Sequence, residues 1–226
     1  MISKFLNNQS KTITGAAIIL GAASLASRFL GLVRDRVLAH YFGAGPIMDA
    51  YGAAFKIPDL IYTLSILGAL SAGLIPIFTK IYLKDGADKK QAWKLISNTI
   101  NILTVGLGLA AVILILAAPW LVPLVAPGFA GEKRELAILF TRIMLASPIL
   151  LGLSAVAGGV LQSLKNFFIY SLSPIFYNVG IIIGAVALVP LFGLKGLAWG
   201  VVLGAFLHLI VQFPSLWRAG FHYAPI

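Results

Sequence analysis

The chain contains no cysteine and has few charged residues of either sign. Without cysteine there can be no disulfide, thiolate metal site or cysteine nucleophile. Charged residues make up 11% of the 226 residues, whereas a soluble domain carries roughly 25%. Hydrophobic residues reach 60%, and the mean hydropathy is +0.98. This composition predicts an integral membrane protein.

The usual signatures of catalysis and cofactor binding are also missing. The sequence has no Walker A motif, no HExxH, no GxSxG and no clustered metal spacing. Asp35, Asp49 and Asp59 could act as the metal-binding acids of a lipid-phosphate transferase. Each has an arginine or lysine within seven residues, however, and ion pairing satisfies them more simply. We therefore expect no enzyme activity, no cofactor and no metal.

Six apolar segments are long enough to cross a bilayer, which takes about 20 residues. They run without alternation, which favours helices over barrel strands. The first is too long for a signal peptide and contains a charge, so we interpret it as a retained helix. We predict an all-α bundle of six transmembrane helices near residues 12–36, 50–79, 96–118, 136–161, 167–190 and 196–217.

The net charge of +10 fits a membrane topology better than a nucleic-acid partner, which we do not expect. If the six spans alternate, nine basic residues share the side of the N-terminus, and the positive-inside rule makes that side cytoplasmic. The segment 80–94 is then a solvated loop beside anionic lipid headgroups. The nine are Lys4, Lys11, Lys80, Lys84, Lys89, Lys90, Lys94, Lys165 and Arg218.

The first two segments carry charges that are costly at membrane depth, by about 2.5 to more than 10 kcal/mol each. Such groups are expected to face a polar cavity, a partner charge or a charged substrate. In a helix, Arg28 and Asp35 share a face, whereas Arg34 points about 120° away from Arg28. Cations that line a membrane cavity suit a phosphate-bearing substrate, because arginine forks match phosphate oxygens.

The second segment places Asp49, Lys56 and Asp59 on one helical stripe, which Pro58 interrupts. Kinked and charged helices beside a cavity are common in transporters.

Weaker candidates lie in the later segments. Arg142 either snorkels to the interface or faces a cavity. Asn178 follows Pro174 by one helical turn. His208 and Gln212 have the same spacing, and we interpret them as a hydrogen-bonding pair between helices rather than a proton relay.

The charged region reads SRFLGLVRDRVLAHYFGAGPIMDAYGAAFKIPDL. Later stretches read LGALSAGLIPIFTKIY, APGFA, GGVLQSLKNFFIYSLSPIFYN and LAWGVVLGAFLHLIVQFP. In this order they resemble the MurJ/MviN family, the bacterial lipid II flippases of the multidrug/oligosaccharidyl-lipid/polysaccharide exporter superfamily. The resemblance implies one lobe of a two-lobed fold that moves lipid II across the bacterial inner membrane by alternating access.

The resemblance also implies roles for individual residues. Arg28 and Arg34 match cavity arginines that bind the substrate headgroup, and Asp35 matches the acid that orients them.

For gating, the resemblance implies Ala39 near the outer end of the cavity and Asp49 at the outward gate. We expect Asp49 to pair with Lys56 in one conformation. Asp59 is the remaining residue that we predict to take part in gating.

The chain departs from the family pattern in two ways. Tyr62, Thr63 and Leu67 stand where the family commonly has two arginines and a glutamate, which leaves open another lipid-linked glycan, of O-antigen or capsule type. The chain also has six of the family's roughly fourteen spans.

We expect a fragment of a longer gene, with a half-size protein or a decayed remnant as alternatives. A lobe without its C-terminal partner lobe is expected not to flip lipid. A non-transporting membrane scaffold for cell-wall synthesis is the alternative from another functional class.

Overall fold

The structure of this chain, a computed structural model, describes residues 13–65, 73–83 and 89–224. These residues contain helices and turns and no β-strand, which confirms the all-α prediction. The helices are α1 (Ile13–Phe42), α2 (Pro46–Ser65), α3 (Ile75–Tyr82), α4 (Lys89–Val125), α5 (Gly131–Met144), α6 (Ser147–Ser163), α7 (Phe167–Ile183), α8 (Val189–Phe192), α9 (Lys195–Ile210) and α10 (Phe213–Arg218). A π-helical turn, Gly184–Leu188, joins α7 to α8.

Five stretches of the described residues are long and apolar enough to cross a membrane, so the chain is a multi-pass membrane protein. The predicted second span, 50–79, includes residues 66–72, which lie outside the described residues. The count of six spans and the cytoplasmic N-terminus therefore remain predictions. The five stretches are Ala17–Phe42, Lys89–Val125, Gly131–Ser163, Phe167–Phe192 and Lys195–Arg218.

The centre of the bundle is a glycine-lined contact between α7 and α9. Gly180 and Gly184 face Gly200 and Gly204 so closely that a Cβ on any of them would overlap the opposing backbone. Their spacing of four residues keeps each pair on one helix face. Small residues of this kind let helix backbones meet directly in a membrane, where packing replaces the hydrophobic effect as the source of helix association.

Helix α1 packs along α7 and leaves most of its own surface open. Leu25, Phe29 and Leu32 on this helix are 68–69% exposed. The other helices form a body in which α2 packs on α5 and α6, and α4 packs on the same two helices. Because α1 is attached through α7, space remains between α1 and the body.

Helix α4 continues through two prolines because arginines replace the donors that the prolines lack. Pro119 has no N–H for the carbonyl of Ile115, and Arg142 Nε donates to that carbonyl at 3.1 Å. Pro123 leaves the carbonyl of Pro119 without a donor, and Arg134 Nη2 donates to it at 3.2 Å. Backbone groups within a membrane need such partners.

This arrangement changes two expectations. The span predicted to end near residue 118 continues as helix to Val125. Arg142, expected either to snorkel or to face a cavity, is bonded to the backbone of α4.

We expect Arg142→Met to lower the free energy of unfolding by about 1–3 kcal/mol, because the Ile115 carbonyl loses its donor. In a Pro119→Ala background the new Ala N–H supplies that hydrogen bond, so the same substitution should cost much less. Unfolding of the purified chain in detergent, arranged as a double-mutant cycle, measures the coupling. An equal loss in both backgrounds would mean that Arg142 stabilises the chain in some other way.

We expect Gly200→Ala to destabilise the chain by about 1–3 kcal/mol, the usual range for overpacking, because its Cβ would overlap the Gly184 backbone. The matched control is Gly106→Ala on α4, where a Cβ meets no atom within 4 Å. That control should be neutral or slightly stabilising, and thermal unfolding measures both. Equal melting temperatures for the two variants would contradict a direct backbone contact.

Candidate functional site

A cavity of about 600 Å³ lies between α1 and the body of the bundle. Its walls come from α1, α2, α3, α6, α7 and α9, and among the described residues no Asp or Glu lines it. We call it the α1 cavity. Its polar lining consists of Ser24, Ser27, Arg28, Tyr62, Ser154, Gln162, Tyr170, Ser171 and His208.

Arg28 is the arginine of the α1 cavity. It lies on α1 and is exposed, and within the described part of the chain no acid or hydrogen-bond acceptor is paired with it. A guanidinium offers five N–H donors in a planar fork. Arg28 can therefore present an unused fork to an anion in this cavity.

Arg34, by contrast, uses all three of its guanidinium nitrogens at the contact between α1 and α7. Its Nε and Nη2 lie 2.9 and 2.8 Å from Asp35 Oδ1, and its Nη1 donates to Asn178 Oδ1 at 2.9 Å. Asn178 is buried on α7, and its Nδ2 donates to the carbonyl of Pro174 at 3.0 Å. Arg34 thus ties α1 to α7 and, unlike Arg28, is not among the residues lining the α1 cavity.

Asp49 and Lys56 are not paired with each other in this structure, and their pairing in another conformation stays a prediction. Asp49 Oδ2 lies 2.6 Å from Lys133 Nζ on α5, and that lysine also lies 4.1 Å from the centroid of the Phe129 ring. Lys56 Nζ donates at 2.7 Å to the carbonyl of Val125, the last residue of α4. In this conformation the packing of α2 beside α5 and the end of α4 supplies both residues with other partners.

The remaining predicted residues lie outside the α1 cavity. Ala39 is exposed on α1, and Asp59 is exposed on α2, where no described residue forms an ion pair with it.

Of the three departures from the family pattern, Tyr62 lines the cavity and Thr63 does not. Leu67 lies outside the described residues.

A polar cluster on the cavity wall joins α6 to α9. Ser154 Oγ lies 2.6 Å from His208 Nδ1, and Gln212 Nε2 reaches Ser154 Oγ as well as the carbonyl of His208 at 3.0 Å. Gln212 is completely buried. The pattern predicted hydrogen bonding between helices at His208 and Gln212, but gave no sign of Ser154, a lone hydroxyl in an apolar run.

Gln162 and Tyr170 are further cavity residues that sequence reasoning missed. Both lie in the stretch GGVLQSLKNFFIYSLSPIFYN that carried the family resemblance, which was the available signal. Across the described ranges no three His, Asp or Glu side chains come together in a way that could hold a metal ion.

Comparisons with known proteins identify the family of this chain. The family profile described as "Lipid II flippase MurJ" matches residues 38–226. A relative from Burkholderia cenocepacia named "Lipid II flippase MurJ" is 34% identical over 205 residues, which cover 89% of this chain and 39% of the relative. A "Probable lipid II flippase MurJ" from Vibrio cholerae is 34% identical over 220 residues, 93% of this chain and 42% of the relative.

A solved structure titled "Lipid II flippase MurJ, inward closed conformation" superposes with a TM-score of 0.74 and 26% identity, over 92% of this chain and 43% of that one. The chain therefore spans about two-fifths of the length of the relatives it matches. The resemblance first indicated by the charged helices is confirmed: this chain belongs to the MurJ family of lipid II flippases.

Proposed function

We propose that this chain forms one lobe of a flippase that carries lipid II across the bacterial inner membrane. The proposal rests on one observation: Arg28 lines the α1 cavity and has no partner among the described residues. An isolated charge is costly at membrane depth. A site that keeps such a charge available is suited to an anionic ligand.

The chemistry of the α1 cavity fits the headgroup of such a lipid. A pyrophosphate offers several oxygens to a guanidinium fork, which binds them more specifically than an ammonium group would. The hydroxyls, amide and imidazole on the same walls can hydrogen-bond a sugar. Transport then consists of electrostatic capture followed by a change in the opening of the cavity, with no covalent step.

The open surface of α1 supports a second lobe as the partner of this chain. Leu25, Phe29 and Leu32 leave α1 apolar and exposed on the side away from α7. The relatives are more than twice as long as the stretch they share with this chain. We propose that a C-terminal lobe closes the other side of the α1 cavity, and that membrane lipids cover the remaining helix faces.

Arg34 has a different role in this proposal. Its bonds to Asp35 and Asn178 hold α1 against α7. The position of Arg28 on the cavity wall depends on that attachment, because α1 packs on little else among the described residues.

Lipid II is favoured over other lipid-linked glycans because the relatives carry that name. Tyr62 gives the cavity an aromatic ring in place of an expected arginine. A ring can pack against a sugar face, so the change is compatible with the same class of substrate.

We expect Arg28→Ala, introduced into the full gene product that contains this chain, to abolish rescue of flippase-depleted cells. The cavity loses its guanidinium while the fold keeps its contacts. Colony formation and immunoblotted protein level are the measurements. The control is Arg36→Ala, which removes an exposed charge from the same helix outside the α1 cavity and should still rescue.

Arg28→Lys should rescue weakly, because an ammonium keeps the charge and loses the fork. Normal growth of cells with Arg28→Ala would refute the proposed role of this cavity. Equal failure of the Arg36→Ala control would instead indicate a general need for charge on α1.

We expect Asp49→Lys to impair rescue, because it places two cations where the Asp49–Lys133 pair now joins α2 to α5. Adding Lys133→Asp reverses the pair and should restore most of the activity. The readout is growth of depleted cells at equal protein level. If the reversed pair stays as defective as Asp49→Lys alone, the carboxylate of Asp49 itself is needed rather than the ion pair.

A further inference from the structure

A second cavity, of about 570 Å³, lies at one end of the bundle, and we call it the basic pocket. It forms where α3 ends, α4 begins, α6 turns into α7, and α10 ends. Among the described residues it shares no lining residue with the α1 cavity. The transport proposed for the α1 cavity does not involve this pocket.

Three cations from three different elements line the basic pocket. Lys89 opens α4, Lys165 lies in the turn between α6 and α7, and Arg218 ends α10. Among the residues that the structure describes, none of the three has a carboxylate partner. Lys89 makes a cation–π contact, with its Nζ 5.0 Å from the centroid of the Tyr82 ring. Charges of one sign gathered in a concave site create a potential that favours an anion.

Acidic side chains of the described residues lie elsewhere. They are Asp35, Asp49, Asp59, Glu132 and Glu135, and none lines the basic pocket. Asp85 and Asp88 fall in 84–88, outside the described residues.

The pocket also offers hydrogen-bonding groups that lack partners. Ser215 is 5% exposed, and its hydroxyl is buried with no hydrogen bond within the described residues. The side-chain Oδ1 of Asn166 is likewise buried and unpaired, and rotation of that amide would present its NH₂ as a donor. Buried polar groups normally have partners. A bound oxyanion would supply a partner once either side chain rotates toward the pocket.

The turn between α6 and α7 fixes the position of Lys165. Its N–H donates to the carbonyl of Gln162 at 2.9 Å, and the N–H of Asn166 donates to the carbonyl of Leu161 at 2.8 Å. The φ of Lys165 is 59°, a left-handed value that is uncommon away from glycine. Helix α7 then begins at Phe167 without a side-chain cap, which adds the positive end of its dipole beside the pocket.

We propose that the basic pocket binds a phosphate-bearing anion, at a site separate from that of the transported substrate. One guanidinium, two ammonium groups and a hydroxyl suit a tetrahedral oxyanion. The pocket lies at the end of the bundle that the positive-inside rule predicts to be cytoplasmic. The anion is either the headgroup of an acidic phospholipid or a soluble phosphate.

The test measures binding to the purified chain in detergent. Its readout is the rise in melting temperature that each of three probes causes. These are short-chain phosphatidylglycerol, phosphatidylcholine of the same chain length, and sodium phosphate against sodium chloride at equal ionic strength. We expect phosphatidylglycerol or phosphate to stabilise the chain and phosphatidylcholine to have no effect. Lys165→Asn with Arg218→Gln should weaken that binding about tenfold or more.

Asparagine is chosen at position 165 because it tolerates the left-handed backbone. The matched control is Lys80→Gln with Lys94→Gln, which removes two charges near the same end but outside the pocket. Its binding should stay within about twofold of the parent, since charges that do not line the pocket are screened from a bound anion at moderate salt. Arg218→Lys, which keeps the charge, covers the case in which the double variant does not fold, and should bind less tightly than the parent because it loses the fork.

Stabilisation by phosphatidylglycerol alone identifies a lipid headgroup, and stabilisation by sodium phosphate identifies a soluble anion. Equal loss of binding in the Lys80/Lys94 control would overturn the pocket as the site. The proposal also fails if the parent chain responds to neither probe. In that case, a response that emerges only in D85N/D88N would show that the chain's own carboxylates, and not a bound anion, occupy the pocket. Because no cell-growth assay is involved, these results are independent of the flippase proposal.

Discussion

The close approach of α7 and α9 is the contact on which the rest of the structure depends. In a membrane the hydrophobic effect does not hold helices together, so van der Waals packing must do so. Gly180, Gly184, Gly200 and Gly204 let the two backbones touch. Helix α9 also packs against α5 and α6, and α7 packs against α1. The α1 cavity exists because α1 reaches the body only through α7.

A second constraint, the cost of a charge in the membrane, determines where the cations of the bundle lie. Each charge near the membrane interior needs a partner or a polar space. Arg142 and Arg134 bond backbone carbonyls that prolines leave without donors, and Arg34 joins Asp35 to Asn178. Arg28 is left facing the α1 cavity. Similar side chains thus have different uses, depending on the acceptors that neighbouring helices bring near them.

Much of the fold and part of the site could be predicted from the sequence. Composition and apolar runs indicated a helical membrane protein, and the charged first helices indicated both the family and Arg28 as a candidate. The partners that Asp49 and Lys56 have in this structure could not be predicted, because helical spacing describes neighbours within one helix only. Lys133 lies 84 residues beyond Asp49 in the chain, and no local pattern predicts their ion pair. Ser154 and Gln162 were missed for the same reason.

Local chemistry therefore established the helical class of the fold, the apolar segments and the charges that are costly in lipid, since these follow from a residue and its near neighbours. Packing settled which acceptor each cation meets and which residues share a cavity. Arg142 shows the difference most clearly. Its charge at membrane depth could be read from the sequence, but its partner is the carbonyl of Ile115. That carbonyl is available because Pro119 lies one turn further along α4, a helix that reaches Arg142 only in the folded bundle.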